Sequence, residues 1–174
     1  MKIIADTSIW IEFLKFNKEY YFLFKKKLEN LEIFAVECVF GELLQGIKSK
    51  AEQQIILGYW NSLPKLNEAG ILIKAGVYSS DNNLVNKGIG LIDSILIVLA
   101  RENRLKIWTK DKKLSNFLNE ELIFLQADFF GIKGKDQKLE VLDKIKSMNL
   151  SVRSPENIEA EILKGRETDC EKNE

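Results

Sequence analysis

The nine residues Lys2-Ile-Ile-Ala-Asp-Thr-Ser-Ile-Trp10 predict a buried strand that leads directly into a helix. A short apolar run ends at Asp6, and apolar residues then recur at the spacing of one helix face. A carboxylate at such a junction lies just outside the carboxyl end of a strand, which is where open α/β sheets hold their functional sites. Because Asp, Ser and Thr are also preferred helix caps, Asp6 taken alone favours capping. The rest of the chain decides between these interpretations.

Length and composition are typical of one globular domain. The chain has 174 residues, of which 45 % are hydrophobic and 30 % charged, and it is long enough to bury a self-sufficient core. No apolar run approaches the ~18 residues needed to span a bilayer. One of the two cysteines lies in an apolar segment and the other in a polar tail, which is typical of a reducing compartment, so we expect a cytoplasmic protein.

The charge balance and the absence of histidine restrict the chemistry. Lys plus Arg and Asp plus Glu each number 26, so no net positive field attracts nucleic acid, and such a role must rest on local patches. Without histidine, Ser–His and Cys–His nucleophile pairs and histidine metal ligands are excluded. If the chain is an enzyme, carboxylates, with or without a metal ion, have to carry out the reaction.

Alternating strand and helix signals predict an α/β fold with a parallel sheet. Apolar runs predict further strands at 33–36, 105–109 and 122–125, and helical periodicity predicts helices at 20–31, 37–47, 51–63, 67–85 and 91–104. Strands separated by helices form right-handed βαβ units, so their carboxyl ends lie along one edge of the sheet. Asp6, Asp93 and Asp111 are expected to converge there, together with Glu42, which lies just off the apolar arc of its helix.

A cluster of four carboxylates argues for a bound cation. Left alone, the acids repel and raise one another's pKa, whereas a divalent metal ion stabilises them. Oxygen ligands suit Mg²⁺ or Mn²⁺, and such an ion can activate a water and neutralise charge on a phosphodiester. The hydroxyls of Thr7, Ser8 and Thr109 are candidate hydrogen-bond donors to the carboxylates.

The order and spacing of these residues resemble those of PIN-domain ribonucleases, in particular the VapC-like toxins of bacterial toxin–antitoxin pairs. The matching fragments are Ala5-Asp-Thr-Ser-Ile-Trp10, the segment 36–46 with its Glu42, Leu91-Ile-Asp93, and Thr109-Lys-Asp111. The resemblance implies a PIN-like three-layer α/β/α sandwich with a central parallel sheet. It also implies Mg²⁺- or Mn²⁺-dependent endonucleolytic cleavage of RNA, and inhibition by an antitoxin protein that covers the site.

The resemblance also implies roles for the four acids. Asp6, Asp93 and Asp111 would bind the metal ion, and Glu42 would ligate it through water or position the nucleophile. A phosphatase with an aspartate nucleophile would need a second aspartate two residues after Asp6, where this chain has Ser8. An inactive PIN-like fold that serves as a binding or scaffold module is the open alternative. Retention of all four acids argues against it.

Basic and aromatic residues suggest where partners bind. Lys110, Lys112 and Lys113 flank Asp111 and are candidate phosphate contacts for RNA, although a lysine-rich turn is common on any surface. Residues 10–24 contain more aromatic side chains than one helix pair needs. Core packing explains most of this excess, and an antitoxin groove or a homodimer face would explain the remainder.

The composition changes after residue 130. We predict a PIN-like catalytic domain over 1–130, a C-terminal helical extension that packs on it over 131–165, and a flexible polar tail over 166–174. Within the extension, apolar periodicity predicts an amphipathic helix at 139–148.

Overall fold

Three short parallel strands form the sheet that positions the rest of the molecule. They are β1 (Ile3–Ala5), β2 (Ile33–Phe34) and β3 (Lys106–Trp108). The strand order is β2-β1-β3, and Ile4 of β1 aligns with Phe34 on one side and with Ile107 on the other. The predicted parallel sheet is confirmed, and its central strand is the first one in the chain.

The computed structural model describes residues 1–126. The predicted extension over 131–165, its helix at 139–148 and the tail over 166–174 lie outside the described residues, as do the last four positions of the predicted catalytic domain. Those boundaries therefore stay predictions.

Helices cover the sheet on both faces, which gives the predicted three-layer α/β/α sandwich. Helix α1 (Thr7–Leu14) packs against β1, α2 (Lys18–Glu29) and α3 (Glu37–Gln45). On the other face, α6 (Leu91–Asn103) packs against β1, β3 and α5 (Ile71–Asp81). Within residues 1–126, no helix is both long and apolar enough to cross a membrane. The helices are α1 (Thr7–Leu14), α2 (Lys18–Glu29), α3 (Glu37–Gln45), α4 (Lys50–Ser62), α5 (Ile71–Asp81), α6 (Leu91–Asn103) and α7 (Lys112–Phe117), with a 3-10 turn at Val85–Lys87.

The core consists of the sheet and helix α6. Ile3, Ile4 and Ile107 are fully buried in the strands, and the segment 94–100 of α6 is buried throughout. Burial of one such aliphatic side chain stabilises the fold by about 1.5–3 kcal/mol. This core fixes the carboxyl ends of β1 and β3, and with them the residues that follow each strand.

The aromatic residues near the start of the chain belong mostly to the core, as predicted. Trp10 packs edge-on against Phe24 and Phe40, with ring centroids 4.8 and 5.1 Å apart, and all three are buried. Edge-to-face aromatic pairs add about 0.5–1.5 kcal/mol beyond their area burial. This packing anchors α1 directly behind Asp6.

Two predicted elements are shorter than expected. The helix predicted at 67–85 spans only Ile71–Asp81, because Gly70 before it and Asn83 after it have left-handed backbone conformations, with φ of 72° and 54°. The strand predicted at 122–125 makes a single bridge, between Ile107 and Ile123. The amides of Leu122 and Ile123 bond to the carbonyl oxygen of Asn119, so a turn prevents longer pairing.

Candidate active site

A cleft of about 560 Å³ opens where β1 and β3 end, and all four predicted acids line it. Asp6 follows β1, Asp111 follows β3, Asp93 lies in the first turn of α6, and Glu42 lies in α3. The structure therefore brings together acids that are far apart in sequence. The lining residues are Asp6, Ser8, Glu42, Gly90, Leu91, Ile92, Asp93, Lys110 and Asp111.

Asp6 is the most enclosed of the four acids, with 8 % of its surface exposed. Its Oδ2 accepts hydrogen bonds from Ser8 Oγ at 2.6 Å and from Thr109 Oγ1 at 2.8 Å. Asp6 occupies the N-cap position of α1, but its side chain makes no capping hydrogen bond. The capping interpretation of Asp6 is therefore wrong, and the hydroxyls predicted at Ser8 and Thr109 do bond to a carboxylate.

Glu42 is tied to the same motif by the third predicted hydroxyl. Thr7, the first residue of α1, donates from Oγ1 to Glu42 Oε2 at 2.5 Å. Glu42 is half-buried on α3, as its position at the edge of the apolar arc predicts. This hydrogen bond fixes the carboxylate of α3 relative to the end of β1.

Asp93 experiences the charge of the other acids. Burial raises the pKa of its carboxyl, the negative charges of Asp6, Asp111 and Glu42 raise the pKa further, and a hydrogen bond from the Gly90 amide opposes them. That amide lies 2.9 Å from Asp93 Oδ2 and closes the first turn of α6. The three neighbouring negative charges thus disfavour ionisation of Asp93 in addition to its burial, and a bound cation would relieve that repulsion.

Asp111 caps a helix and also borders the cleft. Its Oδ1 accepts hydrogen bonds from the backbone amides of Lys113 at 2.6 Å and Leu114 at 3.1 Å, which makes it the N-cap of α7. Its own amide donates to Thr109 Oγ1 at 2.9 Å. Helix capping therefore accounts for the hydrogen bonds of Asp111 Oδ1, whereas Oδ2 is left to act in the cleft.

The donor set fits a divalent metal ion. Within residues 1–126, each of the four carboxylates uses a single oxygen for its hydrogen bonds, namely Asp6 Oδ2, Glu42 Oε2, Asp93 Oδ2 and Asp111 Oδ1. The remaining oxygens are hard ligands of the kind that Mg²⁺ and Mn²⁺ prefer. In this part of the chain, however, no three acidic or cysteine side chains form a ready-made metal site.

Comparison with known protein families matches the PIN domain to residues 3–117. The chain belongs to the PIN domain family. PIN domains are generally nucleases that use divalent metal ions, and the resemblance of the opening motif to this family is confirmed at that level. No curated protein gives a significant match to the chain.

Only one of the three predicted RNA-contacting lysines lines the cleft of the PIN domain. Lys110 does so, and its backbone amide donates to Ser8 Oγ at 3.0 Å. Lys112 and Lys113 are exposed in the first turn of α7. The side chain of Lys113 packs closely against Gly88. A Cβ atom placed on this glycine would lie only 3.0 Å from the Cδ and Nζ atoms of Lys113.

Sequence reasoning missed the residues that hold the Lys110 side chain. The Lys110 ammonium pairs with Glu12 of α1 and lies 5.2 Å from the centroid of the Tyr20 ring. Glu12 also accepts a hydrogen bond from Asn17, and the hydrogen bonds from Lys110 and Asn17 lower the pKa of Glu12. Neither motif nor spacing signals this contact, because it joins residues 98 positions apart.

A second, apolar groove of about 590 Å³ adjoins the cleft of the PIN domain. Glu42 lines both, so the groove and the cleft meet at that side chain. Its apolar walls come from α1, α3 and α4. The lining residues are Thr7, Ile11, Phe13, Leu14, Lys15, Phe16, Tyr21, Glu42, Leu43, Gly46, Ile47, Lys48, Glu52, Ile55, Ile56 and Tyr59.

Proposed function

We propose that the chain is an endoribonuclease that depends on Mg²⁺ or Mn²⁺ and acts as the toxin of a bacterial toxin–antitoxin pair. The observation that carries the proposal is the convergence of Asp6, Glu42, Asp93 and Asp111 on one cleft. The charges of Asp6, Asp111 and Glu42 add to the effect of burial in raising the pKa of Asp93, and a binding-only fold gains nothing from acids that repel one another.

The four acids have separate roles in this proposal. Asp6, Asp93 and Asp111 would hold the metal ion through the oxygens that their hydrogen bonds leave over, and Ser8 and Thr109 keep Asp6 oriented. When bound, the ion would supply a water of lowered pKa and neutralise charge on the phosphodiester. Glu42 would orient the attacking water and accept its proton.

Thr7 and Lys110 complete the proposed site. The hydrogen bond from Thr7 restrains Glu42 through Oε2 and leaves Oε1 to position the nucleophile. Lys110 is a cation on the wall of an acidic cleft and contacts a phosphate of the bound RNA. Lys112 and Lys113, which lie on the adjoining surface, extend this contact along the strand.

The apolar groove is the proposed docking site of the antitoxin. We infer that an amphipathic helix of the antitoxin fills it with apolar side chains and places a basic side chain against Glu42 and Asp6. Two features support this occupant, namely the apolar walls from α1, α3 and α4 and the position of Glu42, which lines both the groove and the acidic cleft. Such a helix would exclude RNA and metal ion together, which explains inhibition.

The alternative is an inactive PIN-like module that serves as a binding or scaffold domain. One observation favours it: in the described part of the chain, the carboxylates form no ready-made metal site. The two functions differ in a direct way, because a scaffold neither binds Mn²⁺ at the cleft nor produces new RNA ends.

RNA cleavage tests the proposal. Wild-type protein, the Asp6→Asn variant and a Glu29→Gln control are incubated with total bacterial RNA in Mg²⁺, in Mn²⁺ or in EDTA, and new ends are mapped. Glu29 is an exposed acid at the end of α2, so its variant controls for the loss of one negative charge. We expect discrete cleavage by wild type and control that is lost in EDTA and in Asp6→Asn.

Two results would contradict the proposal. Equal cleavage by wild type and Asp6→Asn would show that a contaminant acts, and no cleavage together with no Mn²⁺ binding by calorimetry would favour the scaffold. Expression of the chain in bacteria, alone and together with a candidate antitoxin, tests the toxin assignment separately. The assignment requires that the chain alone arrest growth and that the antitoxin reverse the arrest.

A further inference from the structure

Lys110 is held at both its backbone and its ammonium group. Its amide donates to Ser8 Oγ, and Ser8 in turn donates to Asp6, so the Lys110 backbone is tied to the most buried acid. At the other end, Nζ pairs with Glu12 Oε1 and lies over the ring of Tyr20. A surface lysine normally samples many rotamers, whereas this one is restrained by three separate contacts.

Glu12 is itself fixed, which makes it an effective anchor. It accepts a hydrogen bond from Asn17, the N-cap residue of α2, and only 18 % of its side chain is exposed. Glu12 lies outside the set of residues that line the cleft. Within residues 1–126, the Lys110 ammonium forms an ion pair with Glu12 and none with the four cleft carboxylates.

The electrostatics explain why an anchor is needed. A flexible ammonium beside four carboxylates is attracted to them and would act as an internal counter-ion, competing with the metal ion for the same oxygens. An ion pair with a fifth acid outside the cleft offsets that attraction. The ammonium then remains at the rim, where a phosphate of the substrate can reach it.

We propose that Glu12 is a positioning residue that holds the Lys110 ammonium at the rim of the acidic cleft, where it contacts an RNA phosphate instead of the cleft carboxylates. This inference rests on the proposed ribonuclease function and deepens it, because it assigns one phosphate contact and its support. Tyr20 contributes a cation–π contact to the same ammonium.

A double-mutant cycle in two assays tests the inference. The variants are Glu12→Gln, Lys110→Ala and the double variant, with Lys74→Ala as control. Lys74 pairs with Glu102 on the exposed surface of α5 and α6. Glu102 lies nine residues beyond Asp93 on α6, or roughly 13 Å along the helix axis. The control therefore removes the same charge far from the cleft.

The first assay measures binding of single-stranded RNA in EDTA as a function of salt. We expect Lys110→Ala to weaken binding by about fivefold and to reduce the salt slope by about one, the signature of one lost phosphate contact. Lys74→Ala should leave both unchanged, and Lys110→Arg should restore most of the affinity. If Lys110→Ala behaves like Lys74→Ala, the phosphate contact is wrong.

The second assay measures Mn²⁺ binding by calorimetry without RNA. We expect Glu12→Gln to weaken Mn²⁺ binding severalfold, because the released Lys110 ammonium competes for the carboxylates. In the Lys110→Ala background, the same substitution should have no effect. If Glu12→Gln lowers Mn²⁺ affinity equally in both backgrounds, Glu12 does not act through Lys110 and the inference fails.

Neither assay requires turnover, so a failed inference is distinguishable from a failed function. Wild type that binds Mn²⁺ and RNA but cleaves nothing would contradict the ribonuclease and leave the positioning of Lys110 measurable. Wild type that cleaves RNA, with Glu12→Gln indistinguishable from it in both assays, would overturn the positioning role alone. Circular dichroism and thermal unfolding establish that each variant is folded.

Discussion

Thr7 Oγ1 lies 2.5 Å from Glu42 Oε2, and this one hydrogen bond joins the first turn of α1 to the middle of α3. The contact spans 35 residues of sequence. Because both side chains border the cleft or its adjoining groove, the hydrogen bond fixes the relative position of two of the chain's acid-bearing elements.

Removal of that hydroxyl is expected to impair cleavage without unfolding the protein. A hydrogen bond to a charged group contributes about 1.5–3 kcal/mol, so we expect Thr7→Val to lower kcat/KM by roughly tenfold or more. Thr7→Ser keeps the hydroxyl and should retain most activity. Initial cleavage rates on one defined RNA measure both variants, and equal activity of Val and Ser variants would show that the hydrogen bond is not functional.

Neutralising Asp93 is expected to stabilise the protein while it abolishes cleavage. Burial and the neighbouring acids raise the pKa of Asp93 in the folded state, so stability falls as the pH rises from the unfolded to the folded value, and the ionised form opposes folding above both. Asp93→Asn retains an oxygen that can accept from Gly90. We expect its Tm in EDTA to exceed that of wild type by a few degrees.

Added Mn²⁺ should make wild type more stable than Asp93→Asn, the reverse of the order in EDTA. Mn²⁺ binds the folded wild type and raises its Tm by linkage, whereas the variant lacks one ligand and should respond less. Differential scanning calorimetry with and without Mn²⁺ measures this. A variant that is less stable than wild type in EDTA would mean that the carboxylate of Asp93 stabilises the fold.

Acid should weaken the stabilising ion pair between Glu32 and Lys27. Burial raises the pKa of Glu32, but hydrogen bonds from Lys27 and from the terminal ammonium outweigh it, and the net pKa is lowered below 4.5. The stabilisation is therefore complete above pH 4.5 and is lost as the pH falls through the lower folded value. We expect Glu32→Gln to cost about 1–3 kcal/mol at pH 7 and much less at pH 3.

Urea unfolding at both pH values measures that difference. Glu29→Gln is the control, because the Lys25–Glu29 pair is exposed and 3.7 Å long, and such pairs contribute about 0–1 kcal/mol. If Glu32→Gln costs the same at pH 3 as at pH 7, the ion pair with Lys27 does not account for its stability.

The groove prediction can be tested with a matched pair of exposed apolar residues. Ile11 lines the groove and is 38 % exposed, whereas Leu57 is 37 % exposed and lies outside the lining set. We expect Ile11→Asp to weaken antitoxin binding by at least tenfold while RNA cleavage persists, because a charge would be buried in an apolar contact. Leu57→Asp should bind normally, and equal effects of the two substitutions would refute the groove as the docking site.

Local patterns in the sequence were sufficient for the sheet and for the placement of the acids. The apolar runs before Asp6 and before Asp111 indicate strands, and parallel pairing brings their ends together. The boundaries of α5 were not predictable from apolar spacing, because left-handed residues such as Asn83 end it. The anchor of Lys110 was not predictable either, since Glu12 looks like any solvent-facing acid of α1 until the fold brings the two together.

Strand β1 lies between β2 and β3, so both of its edges are paired only after β3 has been synthesised. Asp6 likewise depends on β3 and the residue after it. Its amide donates to the carbonyl oxygen of Trp108, and its carboxylate accepts a hydrogen bond from Thr109 Oγ1. A growing polypeptide on the ribosome thus cannot assemble the cleft until residues 106–111 have emerged. Under the proposed function, chains released before this point therefore lack an assembled cleft and cannot cleave RNA.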